Sequence, residues 1–281
     1  MTAEVEILRY AAFTVNGAGG NPAGVVLDAT GMSPADMQRI AAEVGFSETA
    51  FLVPVGEGRY DVRFFAPEQE VPFCGHATVA SAVALAERGG PAAVEFLTPA
   101  GRVPVRILRD LDGPAAELTS VPPVVEPADP DLVDAVLAAL HWSIDELDPR
   151  YPVSVASAGA RHLILVVRSR RRLADLAYDF ASMAPLMREH ALVTLQLVWP
   201  EAPLLFHARN PFPPGGVVED PATGAAAAAF GGYLRHHGLI DEAATFTIHQ
   251  GEDMGRPSRL TVELVAGEPG VRVRGHAAAL D

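Results

Sequence analysis

Two short stretches of this chain match each other and constrain its fold more than any other feature. "PFCGHATVASAV" occupies residues 72–83, and "PATGAAAAAFGG" occupies residues 221–232. Gly75 aligns with Gly224, and each stretch follows a strand-like segment with an aromatic–proline pattern, "RFFAP" or "NPFPP". Both stretches have the composition of a helix of small residues that begins at a glycine. Because they occupy the same place in two similar halves, they predict a duplicated domain.

The remaining segments alternate strands with helices. "SPADMQRIAAEVG" is predicted to be a helix, with Ser33 as N-cap and Gly45 as its end. "ETAFLVPV" and "RYDVRFFAP" are predicted to be two strands joined by "GEG". The proline-rich segment "VPPVVEPADPD" (121–131) is the predicted linker. It divides the chain into domains 1–120 and 121–281, with a last strand at about 270–281 as a candidate to return to the first domain.

Composition excludes several classes of function. All 21 basic residues are arginine, so neither a Schiff-base lysine nor the lysine of a phosphate-binding loop exists. A single cysteine permits no internal disulfide and no cysteine-based metal cluster. With a net charge of −14, the chain is not expected to bind nucleic acid, and "RSRRRL" (168–173) is interpreted as a solvated turn or helix start. No signal peptide or membrane span is predicted, so we expect a cytoplasmic protein with no membrane partner.

The two helices that begin at a glycine are candidates to bind an anion. A helix N-terminus presents unpaired N–H groups and the positive end of the helix dipole. A glycine there allows a ligand to approach the backbone closely. Gly75 and Gly224, facing each other across a cleft, would bind a small carboxylate or a developing enolate. The alternative is two ordinary buried helices.

Four titratable residues are candidates for the chemistry, and each also has an ordinary structural interpretation. Glu48, in "EVGFSETAFLVP", is either a solvated strand residue or a carboxylate held in a dry place. His76 follows Gly75 and could simply start the helix, while Asp220 could cap the second helix. Cys74 is either an inert small hydrophobe or a thiolate favoured by the helix N-terminus.

Several motifs together resemble the PhzF-like isomerase family of phenazine biosynthesis, within the diaminopimelate-epimerase-like superfamily. The matching motifs are "GNPAGVV", "SETAF", "GHAT", "EDPATG" and "QGEDMGRPS". They lie in the family's order along nearly the whole chain, and their combination is specific although each alone is weak.

The resemblance implies an α+β fold with two pseudo-symmetric domains, each a β-barrel-like sheet around a central helix. It implies an active site between the domains, no metal or organic cofactor, a small carboxylate as substrate and, usually, a homodimer. The family's catalytic glutamate, which moves a proton on trans-2,3-dihydro-3-hydroxyanthranilate, corresponds to Glu48. The family's histidine corresponds to His76 and its aspartate to Asp220, while Gly75 and Gly224 match the glycines that contact substrate.

Two departures from the family pattern keep three hypotheses open. Ala225 stands where the phenazine enzyme has a serine, and Cys74 stands where that enzyme has a small apolar residue. We expect a cofactor-independent isomerase in which Glu48 transfers the proton and Ala225 and Cys74 border the substrate. The alternatives are an epimerase or racemase assisted by Cys74, and a metabolite-binding protein without turnover. Arg209 is a further candidate for guiding an acidic substrate.

Overall fold

Strands make up most of the secondary structure of the computed structural model, which describes residues 5–280. In chain order the strands are β1 (Leu8–Thr14), β2 (Asn21–Val26), β3 (Glu48–Gly56), β4 (Arg59–Phe65), β5 (Glu70–Val71), β6 (Ala93–Thr98), β7 (Gly101–Asp110), β8 (Gly113–Thr119), β9 (Val124–Pro127), β10 (Ser154–Ser157), β11 (Arg161–Val166), β12 (Thr194–Ala202), β13 (Leu205–Pro211), β14 (Glu219–Asp220), β15 (Ala244–Gln250), β16 (Ser258–Leu264) and β17 (Arg272–Ala279). The α-helices are α1 (Pro34–Val44), α2 (Gly75–Glu87), α3 (Pro130–Leu140), α4 (Arg170–Ala174), α5 (Phe180–Glu189) and α6 (Gly224–His236).

The first half of the chain forms a closed barrel. Its hydrogen-bonded neighbours run β1–β2–β3–β4–β6–β7–β8, and β17 closes the ring by pairing with both β8 and β1. Strands β2 and β3 are parallel and joined through α1, whereas β3 and β4 form an antiparallel hairpin. Closure leaves no unpaired edge between β17 and β1.

The second half forms a similar sheet that joins the barrel through β17. Its neighbours run β9–β10–β11–β12–β13–β15–β16, and β16 pairs with β17. The last strand therefore belongs to both sheets. The boundary between residues 120 and 121 stays a prediction.

Each sheet surrounds one central helix. Helix α2 packs against β1, β2, β8 and β17, and α6 packs against β9, β10, β11 and β16. All residues from Gly75 to Leu85 and from Gly224 to Leu234 are buried. Helices that are buried on every side need small apolar residues for close packing, which explains their alanine-rich composition. The predicted α+β fold with two similar halves is thus confirmed.

Local features mostly follow the sequence patterns, with one correction. Helix α1 begins after Ser33, whose side chain accepts a hydrogen bond from the Asp36 N–H, and ends at Gly45 in the left-handed conformation. The segment 121–131 is not a simple linker, because β9 lies inside it and pairs with β10. Its end is also ordered, since Asp129 caps α3. Among the described residues, no helix is both long enough and apolar enough to cross a membrane.

Candidate active site

The N-termini of α2 and α6 touch each other where the two halves meet. A Cβ added to Gly75 would lie 2.8 Å from the Gly224 Cα and 2.9 Å from the Ala225 nitrogen. Intrahelical bonding begins with the Thr78 N–H to Cys74 and the Ala227 N–H to Thr223. The first N–H groups of both helices therefore have no intrahelical partner, and those of Gly75 and Gly224 are candidates to bind a ligand. Two positive helix ends at one point favour an anion there.

A small enclosed cavity lies at this junction. Its volume is about 20 Å³, room for about one water molecule. In this form it is too small to hold an organic acid. Seven of the eight candidate residues from the sequence border it, and Arg209 does not. Its lining comes from both halves: Glu48, Phe73, Cys74, Gly75, His76, Ala160, His162, Val193, Thr194, Phe212, Asp220, Thr223, Gly224 and Ala225.

Glu48 is a buried acid at the first position of β3. Its exposed fraction is 6%, so it is not a solvated strand residue. The carboxylate oxygen Oε2 has no hydrogen-bond partner within the described residues. The titratable side chain that lies near it is His76, whose Nε2 is 3.4 Å from Oε2. A buried carboxyl oxygen without a partner is costly, and such atoms in native proteins commonly serve function.

His76 is neutral and is held by neighbours from β2 and the loop before β3. Burial lowers the pKa of His76 to about 3. Asn21 Nδ2 lies 3.0 Å from His76 Nδ1, and the Ser47 hydroxyl oxygen lies 3.3 Å from His76 Nε2.

Asp220 is fixed by hydrogen bonds from both halves of the chain. Asn21 Nδ2 donates to Asp220 Oδ1 at 2.6 Å, and the Thr223 hydroxyl donates to Oδ2 at 2.6 Å. Gln250 holds the neighbouring backbone, since its Nε2 donates to the Asp220 carbonyl and its Oε1 accepts from the Thr223 N–H. Asn21 also donates to the carbonyl of Ala222. Asn21 thereby links the β1–β2 region to the start of α6.

Burial controls the protonation of the two acids. Burial, and then the charge of Asp220, raise the pKa of Glu48. Burial also raises the pKa of Asp220, against the lowering effect of hydrogen bonds from Thr223 and Asn21. Two buried carboxyls that repel each other do not both ionise readily, so the pair holds a proton at a pH where free carboxyls have lost theirs. A shared, movable proton suits general acid/base chemistry.

Cys74 does not have the activated thiol that a helix N-terminus alone would favour. Burial, and then the charge of Glu48, raise the pKa of the Cys74 thiol well above its usual value. The N–H groups of Ala77 and His76 act in the opposite direction, but less strongly. The sulfur nevertheless lies 3.3 Å from His76 Nδ1, inside the site.

Two groups of side chains have the spacing of metal ligands. The ligating atoms of Glu48, Cys74 and His76 lie within 4.8 Å of one another. Zinc would require the Cys74 thiolate, which burial disfavours. The second group, Asp110, Asp112 and His276, is largely exposed, and its carboxylates already contact His276 and Arg259.

The sequence pointed to Glu48, which lies at the cavity, and to Arg209, which does not. It missed several residues at or near the cavity. Arg209 is not at the cavity, because its guanidinium binds both carboxylate oxygens of Glu219. The missed residues fall into two groups. Asn21, Thr223 and Gln250 lie inside the motifs "GNPAGVV", "EDPATG" and "QGEDMGRPS", which could have revealed them. His162 and Thr194 lie in ordinary-looking strands that gave no signal.

Proteins of a known family are similar to this chain in sequence. The phenazine biosynthesis-like protein family matches residues 10–281. An uncharacterised isomerase of Mesorhizobium japonicum is 35% identical, over 96% of this chain and 95% of its own length. The trans-2,3-dihydro-3-hydroxyanthranilate isomerase of Pseudomonas aeruginosa is 30% identical, over 92% and 91%.

Solved structures agree with this assignment. A predicted epimerase from Pseudomonas aeruginosa superimposes with a TM-score of 0.86 at 28% identity, covering 99% of this chain and 98% of that one. A PhzF-family protein from Bacillus anthracis gives 0.84 at 26% identity, covering 99% and 97%. A probable proline racemase from Agrobacterium radiobacter, at 14% identity over 99% and 91%, shares the fold alone with a TM-score of 0.69. The chain therefore belongs to the phenazine biosynthesis-like protein family, and it is an isomerase.

Proposed function

We propose that this isomerase moves a proton within a small carboxylic acid, with Glu48 as the general base. The observation that carries the proposal is the buried, unpartnered Oε2 of Glu48 at a cavity between two helix N-termini. A base must be close to the carbon it deprotonates and must not be tied up in an ion pair. Glu48 lines the cavity, and its Oε2 has no hydrogen-bond partner among residues 5–280, which supports this role.

In the proposed reaction, the substrate carboxylate binds the free N–H groups at Gly75 and Gly224. Glu48 takes a proton from a carbon next to an activating group, and the electron pair moves onto that group. The helix N–H groups stabilise the negative charge that develops. The Glu48 carboxyl exchanges its proton with solvent and then delivers one proton to a different carbon, so that atoms and charge balance. His76 and Asp220 orient the substrate and exchange protons with the Glu48 carboxyl.

Ala225 changes one contact relative to the phenazine enzyme that the sequence resembles. It lies at the cavity, where its methyl group offers no hydrogen bond. The carboxylate therefore depends on backbone N–H groups at this point. We take trans-2,3-dihydro-3-hydroxyanthranilate as the first test substrate because a relative is named for that reaction.

A second candidate reaction is an epimerisation assisted by Cys74. It is favoured by the position of the Cys74 sulfur, which lies at the same cavity, 3.3 Å from His76. The raised pKa of the thiol makes Cys74 a proton donor more readily than a base. A homodimer and a cytoplasmic location, as predicted from the sequence, are part of the same proposal.

The test is the incorporation of solvent deuterium into the test substrate and into a panel of small carboxylic acids. We expect the parent protein to exchange and Glu48→Gln to lose at least about 100-fold in rate, as for removal of a general base. Glu57→Gln, in the exposed β3–β4 turn, is the matched control and should exchange like the parent. Undiminished exchange in Glu48→Gln would remove Glu48 from the mechanism. Saturable binding without any exchange would instead favour the non-catalytic hypothesis.

A further inference from the structure

Two unpartnered polar atoms border the cavity, and the mechanism uses only one of them. Among the cavity-lining residues, the buried side-chain atoms without a hydrogen-bond partner in residues 5–280 are Glu48 Oε2 and His162 Nε2. Glu48 comes from the first half of the chain and His162 from the second. Both residues line the same space of about 20 Å³, so one small ligand there can contact both.

His162 is placed rigidly. It is the second residue of β11, is 0% exposed, and lies beside Thr194 in the parallel register of β11 and β12. Its Nδ1 lies 2.8 Å from the Thr194 hydroxyl oxygen. Helix α6 packs against β11 and β12. His162 and Thr194 on these strands line the cavity together with Gly224 at the α6 N-terminus. A histidine that served only to pack the core would be expected to have both ring nitrogens paired.

The surrounding network engages one ring nitrogen and leaves the other unpaired. Burial lowers the pKa of His162 to about 3, so the ring is neutral. Asn210 Nδ2 donates to the Thr194 hydroxyl oxygen at 3.1 Å. A hydroxyl, with one hydrogen and two lone pairs, can pair with His162 Nδ1 in either tautomer. Nε2 is therefore the ring nitrogen left for a ligand, as an N–H donor or as a lone-pair acceptor.

We infer that His162 is a substrate-positioning residue whose Nε2 forms a hydrogen bond with a hydroxyl substituent of the acid on which Glu48 acts. This inference rests on the proposed function and narrows the substrate class to small carboxylic acids that carry a hydroxyl group. The carboxylate occupies the two helix N-termini, and the oxygen substituent lies toward β11. Two fixed points orient the acid so that one C–H bond faces Glu48.

The experiment measures affinity for pairs of acids that differ by one hydroxyl group. The pairs are anthranilate with 3-hydroxyanthranilate and butanoate with 3-hydroxybutanoate, titrated by calorimetry into the full-length protein. His162→Asn retains an amide near the Nδ1 position and hence the contact with Thr194, but it lacks any atom at Nε2. His162→Gln is the complementary variant, because its amide reaches toward the Nε2 position. Exchange kinetics on the same variants separate changes in KM from changes in kcat.

We expect the parent to prefer the hydroxylated acid of at least one pair by about 10-fold, the usual effect of one buried hydrogen bond. His162→Asn should lose this preference and raise KM by about 10-fold with kcat nearly unchanged, and His162→Gln should recover part of it. An unchanged preference in His162→Asn overturns the inference, as does a parent that shows no preference or binds none of the four acids. Glu48→Gln separates the two proposals, since it should lose exchange while keeping the preference.

Discussion

Gly75 and Gly224 start two helices whose backbones are in contact, and a Cβ on Gly75 would lie 2.8 Å from the Gly224 Cα. Real Cβ atoms do not approach another backbone atom this closely, and the neighbour is main chain that cannot rotate away. The contact therefore explains why both helices begin with glycine. It also joins the two halves at the point where the substrate carboxylate is proposed to bind.

Gly75→Ala should consequently destabilise the fold and disturb the site. We expect a loss of about 1–3 kcal/mol in the free energy of unfolding, as for overpacking of a filled core, and a marked fall in exchange. Gly56→Ala is the matched control, since a Cβ there meets nothing closer than 4.0 Å. Urea denaturation measures both variants. Equal stability of the two would show that the helix ends can separate freely.

The buried acids should make stability fall as the pH rises. The pKa of Glu48 is raised above 4.5 and that of Asp220 above 3.8. The folded state keeps a proton that the unfolded state has released, so the free energy of unfolding decreases with pH above these ordinary values. We expect Glu48→Gln to remove more than about 1 kcal/mol of this decrease between pH 5 and 8.

Glu57→Gln, in the exposed turn, is the control. Its free energy of unfolding should vary with pH as that of the parent does, because all other titrating groups are the same. The same raised pKa of Glu48 predicts that exchange increases with pH, because the base must lose its proton first. If the free energy of unfolding of Glu48→Gln and of the parent changed equally with pH, burial would not raise the pKa of Glu48 as assigned.

Cys74 should react slowly with alkylating reagents and should not be essential. Its side chain is 5% exposed and its pKa is raised, so little thiolate is available at pH 7. We expect iodoacetamide to label the native protein at least about 10-fold more slowly than the unfolded protein. Cys74→Ala should keep most of the exchange activity. Loss of exchange in Cys74→Ala, with a normal melting temperature, would favour the Cys74-assisted epimerase instead.

Much of the architecture could be predicted because the two glycine-started helices carry a strong local signal. The repeated pattern predicted a duplicated domain with buried helices, whereas the sheet around each central helix was implied by the family resemblance. The return of the last strand to the first domain was only a candidate, because the pairing of β17 with β1 and β8 joins strands far apart in the chain and no local pattern encodes it. The segment 121–131 was predicted to be a linker because it is rich in proline. Prolines are also compatible with a short edge strand such as β9, which lies inside it.

Prediction of the site was limited by burial, which a single sequence does not show. Glu48 looks like an ordinary strand acid until β2, α2 and the second half cover it. Arg209 looks like a free cation, but Glu219 on the neighbouring strand β14 forms an ion pair with it. His162 has no motif at all. Its importance depends on an unpaired nitrogen that only three-dimensional packing reveals.

Asn21 should be the most sensitive polar link between the two halves. Its side-chain amide donates to Asp220 at 2.6 Å and lies 3.0 Å from His76 Nδ1, and the residue is 1% exposed. Asn21→Ala removes one of the two side-chain donors to Asp220 and the contact with His76 Nδ1, so we expect a loss of about 1–3 kcal/mol in the free energy of unfolding. Exchange should fall with it, because His76 and Asp220 lose their orientation.

Asn21→Asp has the same shape but places a third carboxyl beside Asp220. Burial and the neighbouring acid should raise the pKa of the new carboxyl, so its folded state retains a proton that the unfolded state releases. We therefore expect Asn21→Asp to be less stable than Asn21→Ala at pH 8 and to recover toward pH 5. Asn16→Asp, at an exposed turn, is the control and should change little. If Asn21→Asp followed the Asn16→Asp curve from pH 5 to 8, the Asn21–Asp220 hydrogen bond would not be the link that joins the two halves.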